Sequence, residues 1–278
     1  MTPQEIIDTA VAALGVESVT PLVQGGQKFV LRATLSGSDV VVKIVPLPTG
    51  PAGDIVRERA RREVELLAAV DSDRVVKVLS ESVEIGERPD AVAWVEEYLD
   101  GNDLSQCMAT PWSDDRAFRL LADIARGLQA CHDLDVVHRD LSPGNVRQLA
   151  NERYVLMDPG LARHLAKTAL TGTYQPGTAG FRSPEHVPGG DPTPASDIFS
   201  LGILAFCART GRFPVDPSGS ESEYFKRLVN DQVPPIQTID PSVGDDLASV
   251  IDRCLRRQPA RRYLDGAELI TDLEKIGR

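Results

Sequence analysis

The sequence predicts an α+β fold in two lobes, a small β-rich lobe over 1–99 with one key helix and a larger helical lobe over 100–278. Three observations predict it. Short β-prone runs separated by turn residues crowd the first hundred positions, and apolar residues from Ser113 onward recur at steps of three and four. Between the two textures, Leu99-Asp100-Gly101-Asn102 reads as a hinge. At 278 residues and 42% hydrophobic content, the chain can bury a sizeable core.

The chain opens with Thr2-Pro3-Gln4-Glu5 ahead of Ile6, Ile7, Ala10, Val11 and Leu14, with Gly15 behind. This predicts a helix capped by Thr2, with Pro3 in its first position and Glu5 closing a capping box, rather than a signal peptide. Val19–Val23, Phe29–Leu35 and Val40–Val45 follow as strands, joined by the hairpin residues Gln24-Gly25-Gly26-Gln27 and Ser36-Gly37-Ser38-Asp39. A charged helix is expected from about Asp54 to Val70, then strands at Val75–Val83 and Ala91–Tyr98. Ser113 caps the next helix, with Asp114 and Asp115 in its first turn and Phe118, Leu121, Ile124, Leu128 and Cys131 as its apolar stripe. Further helices are expected near Thr193-Pro194, near Glu221, near Ser242 and at Asp265, where Glu268 follows three residues on.

Composition narrows the function classes. A formal net charge of −11 argues against a general nucleic-acid binder, which carries a basic field. Cys107, Cys131, Cys207 and Cys254 are far apart with no C-x-x-C pair, and the last three fall inside apolar helical patterns. They read as core thiols of a reducing compartment. His132, His138, His164 and His186 show no metal-ligand spacing. The apolar run around Ile203–Cys207 is too short to cross a bilayer, so a cytoplasmic protein without membrane insertion is expected. Abundant Ala, Val, Arg and Asp point to a bacterial source.

The chemistry concentrates in His138-Arg139-Asp140-Leu141-Ser142-Pro143-Gly144-Asn145. Asp140 is placed to accept a hydroxyl proton, and Asn145, five residues later, to bind a metal ion. Thirteen residues beyond Asn145, the strand-like Val155-Leu156-Met157 ends in Asp158, a second metal-binding candidate, before Pro159-Gly160. Phosphoryl transfer needs this set: a carboxylate beside the attacking oxygen, and two oxygen ligands holding magnesium on the phosphates.

These motifs resemble those of the eukaryotic-like (Hanks-type) serine/threonine protein kinase superfamily, over essentially the full chain and in the manner of a stand-alone bacterial kinase domain. The resemblance implies ATP as donor, Mg2+ (or Mn2+) as cofactor, Ser/Thr hydroxyls of proteins as acceptors, and transient self-association for autophosphorylation. Val40-Val41-Val42-Lys43 resembles the family's Val-Ala-Ile-Lys strand, so Lys43 is expected on the α- and β-phosphates. Its helix partner comes from Arg61-Arg62-Glu63-Val64-Glu65-Leu66-Leu67. Glu63 shares the packed side with Ala60, Leu66 and Leu67, whereas Glu65 shares a face with Arg61 and Arg62, so Glu63 is the expected partner.

Leu22 to Val30 aligns with the family's glycine-rich loop but keeps only its middle glycine, as Gly25, with Val23 and Lys28 replacing the outer two. Gly25, Gly26, Lys28 and Val30 are then nucleotide-binding candidates, Lys28 either lending its charge to the phosphates or facing solvent. The backbone of Glu97 and Leu99 would read the adenine edge. Gly177-Thr178-Ala179-Gly180-Phe181-Arg182-Ser183-Pro184-Glu185 resembles the end of a Ser/Thr kinase activation segment. It implies a buried Glu185–Arg262 ion pair and an Asp197 that braces the catalytic-loop backbone. Arg139 implies a docking point for a phosphate on Thr168, Thr171, Thr173 or Tyr174, with Thr171 or Thr173 preferred.

Several residues depart from the family pattern. Pro159 replaces a phenylalanine, which predicts an extended Asp158 and restricted flipping of the motif. Ser142 replaces a lysine and removes a positive charge near the transferred phosphate. Glu96 occupies the position of an apolar or small residue at the back of the nucleotide pocket, where a carboxylate needs a partner. Either Lys43 pairs with it in competition with Glu63, or the strand is shifted by one residue. Two other functions stay open: a pseudokinase or nucleotide-binding scaffold, and a kinase of a small molecule or unusual acceptor. Intact Lys43, Glu63, Asp140, Asn145 and Asp158 argue against the first, and Ser183-Pro184-Glu185 with Arg262 against the second.

Overall fold

The structure, a computed structural model, describes residues 1–25, 28–158, 180–186 and 191–277; the side chains of residues 23–25, 59, 63 and 221 are not among those described. The described residues fall into two units, Met1–Asp71 with Val76–Leu99, and Ser72–Val75 with the residues from Asp100 on.

The first unit is a five-stranded antiparallel sheet between two helices. The strands are β1 (Glu17–Gly25), β2 (Lys28–Leu35), β3 (Ser38–Pro46), β4 (Val83–Ile85) and β5 (Ala91–Glu97), in the order β1-β2-β3-β5-β4. Alternation along each strand assigns the two faces. Leu31, Ala33, Val40, Val42, Ile44, Ala91, Ala93 and Val95 pack with Ile6 and Ala10 of α1 (Pro3–Leu14). On the opposite face Val45, Val92 and Trp94 pack with Val56, Ala60 and Val64 of α2 (Pro51–Ala68). Each large aliphatic side chain buried this way contributes roughly 1.5–3 kcal/mol. The ends of α1 form as expected: Thr2 and Glu5 close a capping box, and Gly15 takes the left-handed conformation that ends the helix.

One expected strand does not form. Residues 75–82 make only isolated bridges, Val75 with Leu156 and Val78 with Glu96. Val95 donates its N–H to the Ser80 hydroxyl instead of to a main-chain carbonyl, so a side chain interrupts the ladder beside β5. Pairing resumes only at Val83.

The second unit is mainly helical. A small antiparallel sheet, β6 (Gly101–Asp103), β7 (Val146–Leu149) and β8 (Tyr154–Leu156), runs in the order β6-β7-β8. The helices are α3 (Leu104–Cys107), α4 (Asp114–His132), α5 (Pro194–Thr210), α6 (Glu221–Asn230), α7 (Ile236–Ile239), α8 (Asp245–Cys254) and α9 (Gly266–Lys275). The helix expected near Ser242 starts instead at Asp245, because the Ser242 hydroxyl and N–H are both bound to the Asp240 carboxylate. Residues 195–209 of α5 are buried all round, as in a helix at the centre of a core. Gly266 lets α9 approach the backbone of α4: a Cβ there would lie 2.5 Å from the Ala125 carbonyl oxygen. No helix among the described residues is long and apolar enough to cross a membrane.

Two buried arginines tie this unit together. Arg209 binds Asp114 at 2.6 Å, Asp240 at 2.7 Å and the Ser242 hydroxyl at 2.9 Å, so the start of α4 and the turn after α7 converge on α5. Arg262, 1% exposed, forms the expected pair with Glu185 through two parallel bonds of 2.7 and 2.8 Å. It also donates to the carbonyls of Ala195, Arg256 and Arg257, and its guanidinium lies over the Phe199 ring. Every direction around this cation is satisfied.

Burial alone would raise the Glu185 carboxyl, but the bonds from Arg262 and Ser196 outweigh it and hold the group below the usual 4.5 of a glutamate. The pair's stabilisation is therefore complete above that value and is lost as pH falls through the lowered one. Glu185→Gln should melt below the wild type at pH 7, with the difference in Tm closing as pH drops below about 4.5, read by calorimetry. Burial likewise pushes the thiols of Cys131 and Cys254 up to about 12, and raises that of Cys207, while Cys107 is only half-buried. A thiol-specific reagent on the native chain should therefore modify Cys107 first and reach the other three only on unfolding.

Candidate active site

Each unit carries part of the predicted set. In the second, α4 ends at His132 and the chain reaches His138-Arg139-Asp140 through a loop held by one carboxylate, that of Asp197. Asp197 lies in the first turn of α5 and is 1% exposed. It accepts the backbone N–H of His138 at 2.7 Å and of Arg139 at 2.8 Å. His132 stands 3.1 Å away through Nε2, and because its Nδ1 accepts the Gly266 N–H, Nε2 is the protonated nitrogen that donates to Asp197. The brace implied by the resemblance is present. With both N–H groups fixed, Arg139 can adopt a left-handed φ of 67°.

Beyond the brace the loop closes on itself. Asn145 donates Nδ2 to the Asp140 carbonyl at 2.7 Å and to its Oδ2 at 3.2 Å. Its amide nitrogen is thereby used, which turns Oδ1 into the atom that can serve as a ligand. The Asn145 carbonyl accepts the Met157 N–H, and His138, fully buried, bonds through Nε2 to the Met157 carbonyl. The catalytic-loop candidates and the strand end before Asp158 are one hydrogen-bonded assembly.

Asp158 departs from expectation. The proline after it predicts an extended backbone, yet Asp158 is left-handed, with φ 50°. Met157 is tied on both its N–H and its carbonyl, so the chain must turn at the next residue, and aspartate is among the few non-glycine residues that tolerate this conformation. Pro159 and Gly160 lie outside the described residues, as do Thr168, Thr171, Thr173 and Tyr174. Arg139 is half-buried and its Nε has no hydrogen-bond partner among the described residues.

In the first unit, Lys43 on β3 lies opposite Val30 on one side and Trp94 on the other. It is 6% exposed, and its Nζ is 2.5 Å from Oε2 of Glu96, itself 2% exposed. Of the two possibilities for Glu96, the structure has the pairing with Lys43 and no shift of the strand. Glu63 lies on α2 beside the buried Ala60, Val64 and Leu67, but its side chain is not among those described. Glu65 is bound to Arg61 on the exposed side, as periodicity predicts. Gly25 ends β1 opposite Lys28 at the start of β2, and Gly26 lies outside the described residues. Glu97 is held by Lys77 twice, its N–H by the Lys77 carbonyl and its carboxylate by the Lys77 N–H. Leu99 is buried at the end of this unit. The sequence does not single out Trp94, whose indole N–H donates to Glu96 Oε1 at 2.8 Å. Its i, i+2 relation to Glu96 on one strand was the available signal.

Oxygen ligands of this kind suit a hard divalent cation: a carboxylate on Asp158 and an amide oxygen on Asn145, with no thiol or imidazole. Among the described residues no group of three or more His, Cys, Asp or Glu side chains is placed to hold a metal by itself. Such a pair fits an ion that keeps waters and shares its coordination with phosphate oxygens.

Known proteins share this architecture. The chain is 30% identical over 247 residues to the serine/threonine-protein kinase PknB of Mycobacterium leprae, 86% of this chain and 39% of the relative. It is 28% identical over 239 residues to PrkC of Bacillus subtilis, a serine/threonine-protein kinase, 85% of this chain and 36% of the relative. The chain thus spans somewhat over a third of the length of these relatives. Among solved structures, the kinase domain of Mycobacterium tuberculosis PknI, crystallised as a point mutant, superposes with a TM-score of 0.67 at 21% identity, over 95% of this chain and 97% of that one. Rad53 1–466 in complex with AMP-PNP gives a TM-score of 0.73 at 20% identity, over 92% and 64%. These likenesses show the protein kinase fold, a β-sheet unit followed by a helical one. Matched from residue 20 to residue 270 by the model of the protein kinase domain, the chain belongs to that family.

Proposed function

We propose that the chain is a serine/threonine protein kinase that transfers the γ-phosphoryl group of ATP to hydroxyls of other proteins. The observation that carries this reading is the Asp197-braced loop, which holds Asp140 and Asn145 in one hydrogen-bonded assembly. The names of the bacterial relatives support the Ser/Thr acceptor class. In the transfer, the acceptor oxygen bonds to the γ-phosphorus as the bond to the β-phosphate oxygen breaks, ADP leaves, and Asp140 takes the hydroxyl proton. Asn145 Oδ1 and the Asp158 carboxylate would hold Mg2+, which when bound neutralises charge on the phosphates.

Lys43 binds the α- and β-phosphates in this reading, with Gly25, Gly26, Lys28 and Val30 over the nucleotide and Glu63 as the α2 carboxylate. The N–H of Glu97 is taken by Lys77, so Glu97 would read adenine through its own carbonyl, and Leu99 through its backbone. Arg139 acts indirectly: its unpartnered Nε among the described residues suits a phosphate on Thr171 or Thr173, added between two transiently associated copies. Four free thiols, three of them buried, and dependence on ATP fit the cytoplasm.

Purified protein with labelled ATP and Mg2+ should phosphorylate itself or a generic protein substrate, and Asp140→Asn should lower the rate by about 10²–10⁴-fold, the range for losing a general base. Nucleotide binding with no transfer by the wild type would favour a scaffold instead. Mass spectrometry of active protein should find phosphate on Thr171 or Thr173, and Arg139→Gln should remove the activity gained from it. Full activity with an unmodified 159–179 segment would refute the docking role.

A further inference from the structure

On the face of the first sheet that meets α2, Lys43 and Glu96 are the charged residues buried beside the apolar Val45, Val92 and Trp94. Both carboxylate oxygens of Glu96 are bound, Oε2 to Lys43 and Oε1 to the Trp94 indole. Register explains why the three meet. Lys43 is directly opposite Trp94 across the β3–β5 ladder, and Glu96 is two residues further along the same face. The pair therefore belongs to one sheet.

A buried ion pair is a poor device for stability, since apolar residues of similar volume serve as well or better. Its presence here points to a use for the charge. Lysine has a flexible four-carbon stem, and ordering it for a ligand costs rotamer entropy. A carboxylate that is itself pinned by an indole N–H settles that ordering before any ligand arrives. An ammonium has three donors, so a bond to Glu96 is compatible with bonds to phosphate oxygens.

We propose that Glu96 is a positioning residue for nucleotide binding, holding the Lys43 ammonium from a neighbouring strand where the α- and β-phosphates of ATP meet it. Trp94 fixes Glu96 in turn. The assignment rests on the phosphotransfer reading above and adds a sheet-borne carboxylate to the α2 carboxylate of that reading. Because the anchor is part of the sheet, this contribution does not require any shift of α2.

A double-mutant cycle on the full chain tests it, with Mg·ADP binding measured by calorimetry and folding checked by thermal melting. Glu96→Gln should weaken Mg·ADP binding about tenfold when Lys43 is present, and less than about twofold in a Lys43→Met background. Glu96→Asp, which keeps the charge with a shorter reach, should fall between, and it carries the same comparison if Glu96→Gln does not fold. Equal weakening in both backgrounds, or none in either, would overturn the assignment while leaving the phosphotransfer reading intact. Failure of the wild type to bind Mg·ADP would overturn both.

Discussion

One buried carboxylate organises the unit that carries the proposed catalytic loop. Asp197 draws the backbone of His138 and Arg139 and the ring of His132 onto the first turn of α5. The loop from His138 to Asn145 takes its geometry from hydrogen bonds to something rigid. The all-buried α5 is that rigid body. The position near the helix N-terminus also favours the negative charge, because the backbone dipoles point their positive ends there. Without this carboxylate, two main-chain N–H groups would be left buried without partners, and Asp140 and Asn145 would lose their frame.

The same arrangement appears at the other end of α5 and beneath it. Arg209 and Arg262 are each buried and each surrounded by several acceptors, so the helix holds distant segments without leaving a charge uncompensated. Asp197, Arg209 and Glu185 thus tie the loop after α4, the turn after α7 and the segment around Pro184 to one core.

Much of this was legible in the sequence because local chemistry and periodicity agreed. The capping box at Thr2, the cap at Ser113 and the stripe along α4 all rest on interactions within a few residues. The His138–Asn145 motif and the paired Glu185 and Arg262 were legible through the family resemblance, whose spacing encodes contacts that periodicity cannot. What was missed depends on contacts between distant segments. Ser80 interrupting the ladder at Val95 looks like any strand residue in sequence. The left-handed Asp158 follows from bonds to Met157 made by Asn145 and His138, which override the local preference before a proline. Glu96 could be placed on a strand, but its partner waited on register, where a slip of one residue would have turned it to the other face.

The helix α1 lies before residue 20, where the family match begins. Ile6 and Ala10 nevertheless complete the apolar layer under Leu31, Val42, Ile44 and Ala93. A chain cut at residue 20 would keep every residue proposed for catalysis or nucleotide binding and still turn a broad greasy face of its sheet to water. Such a face invites self-association, so boundaries drawn from sequence kinship would yield a sticky protein, whereas boundaries drawn from the packed layer would not.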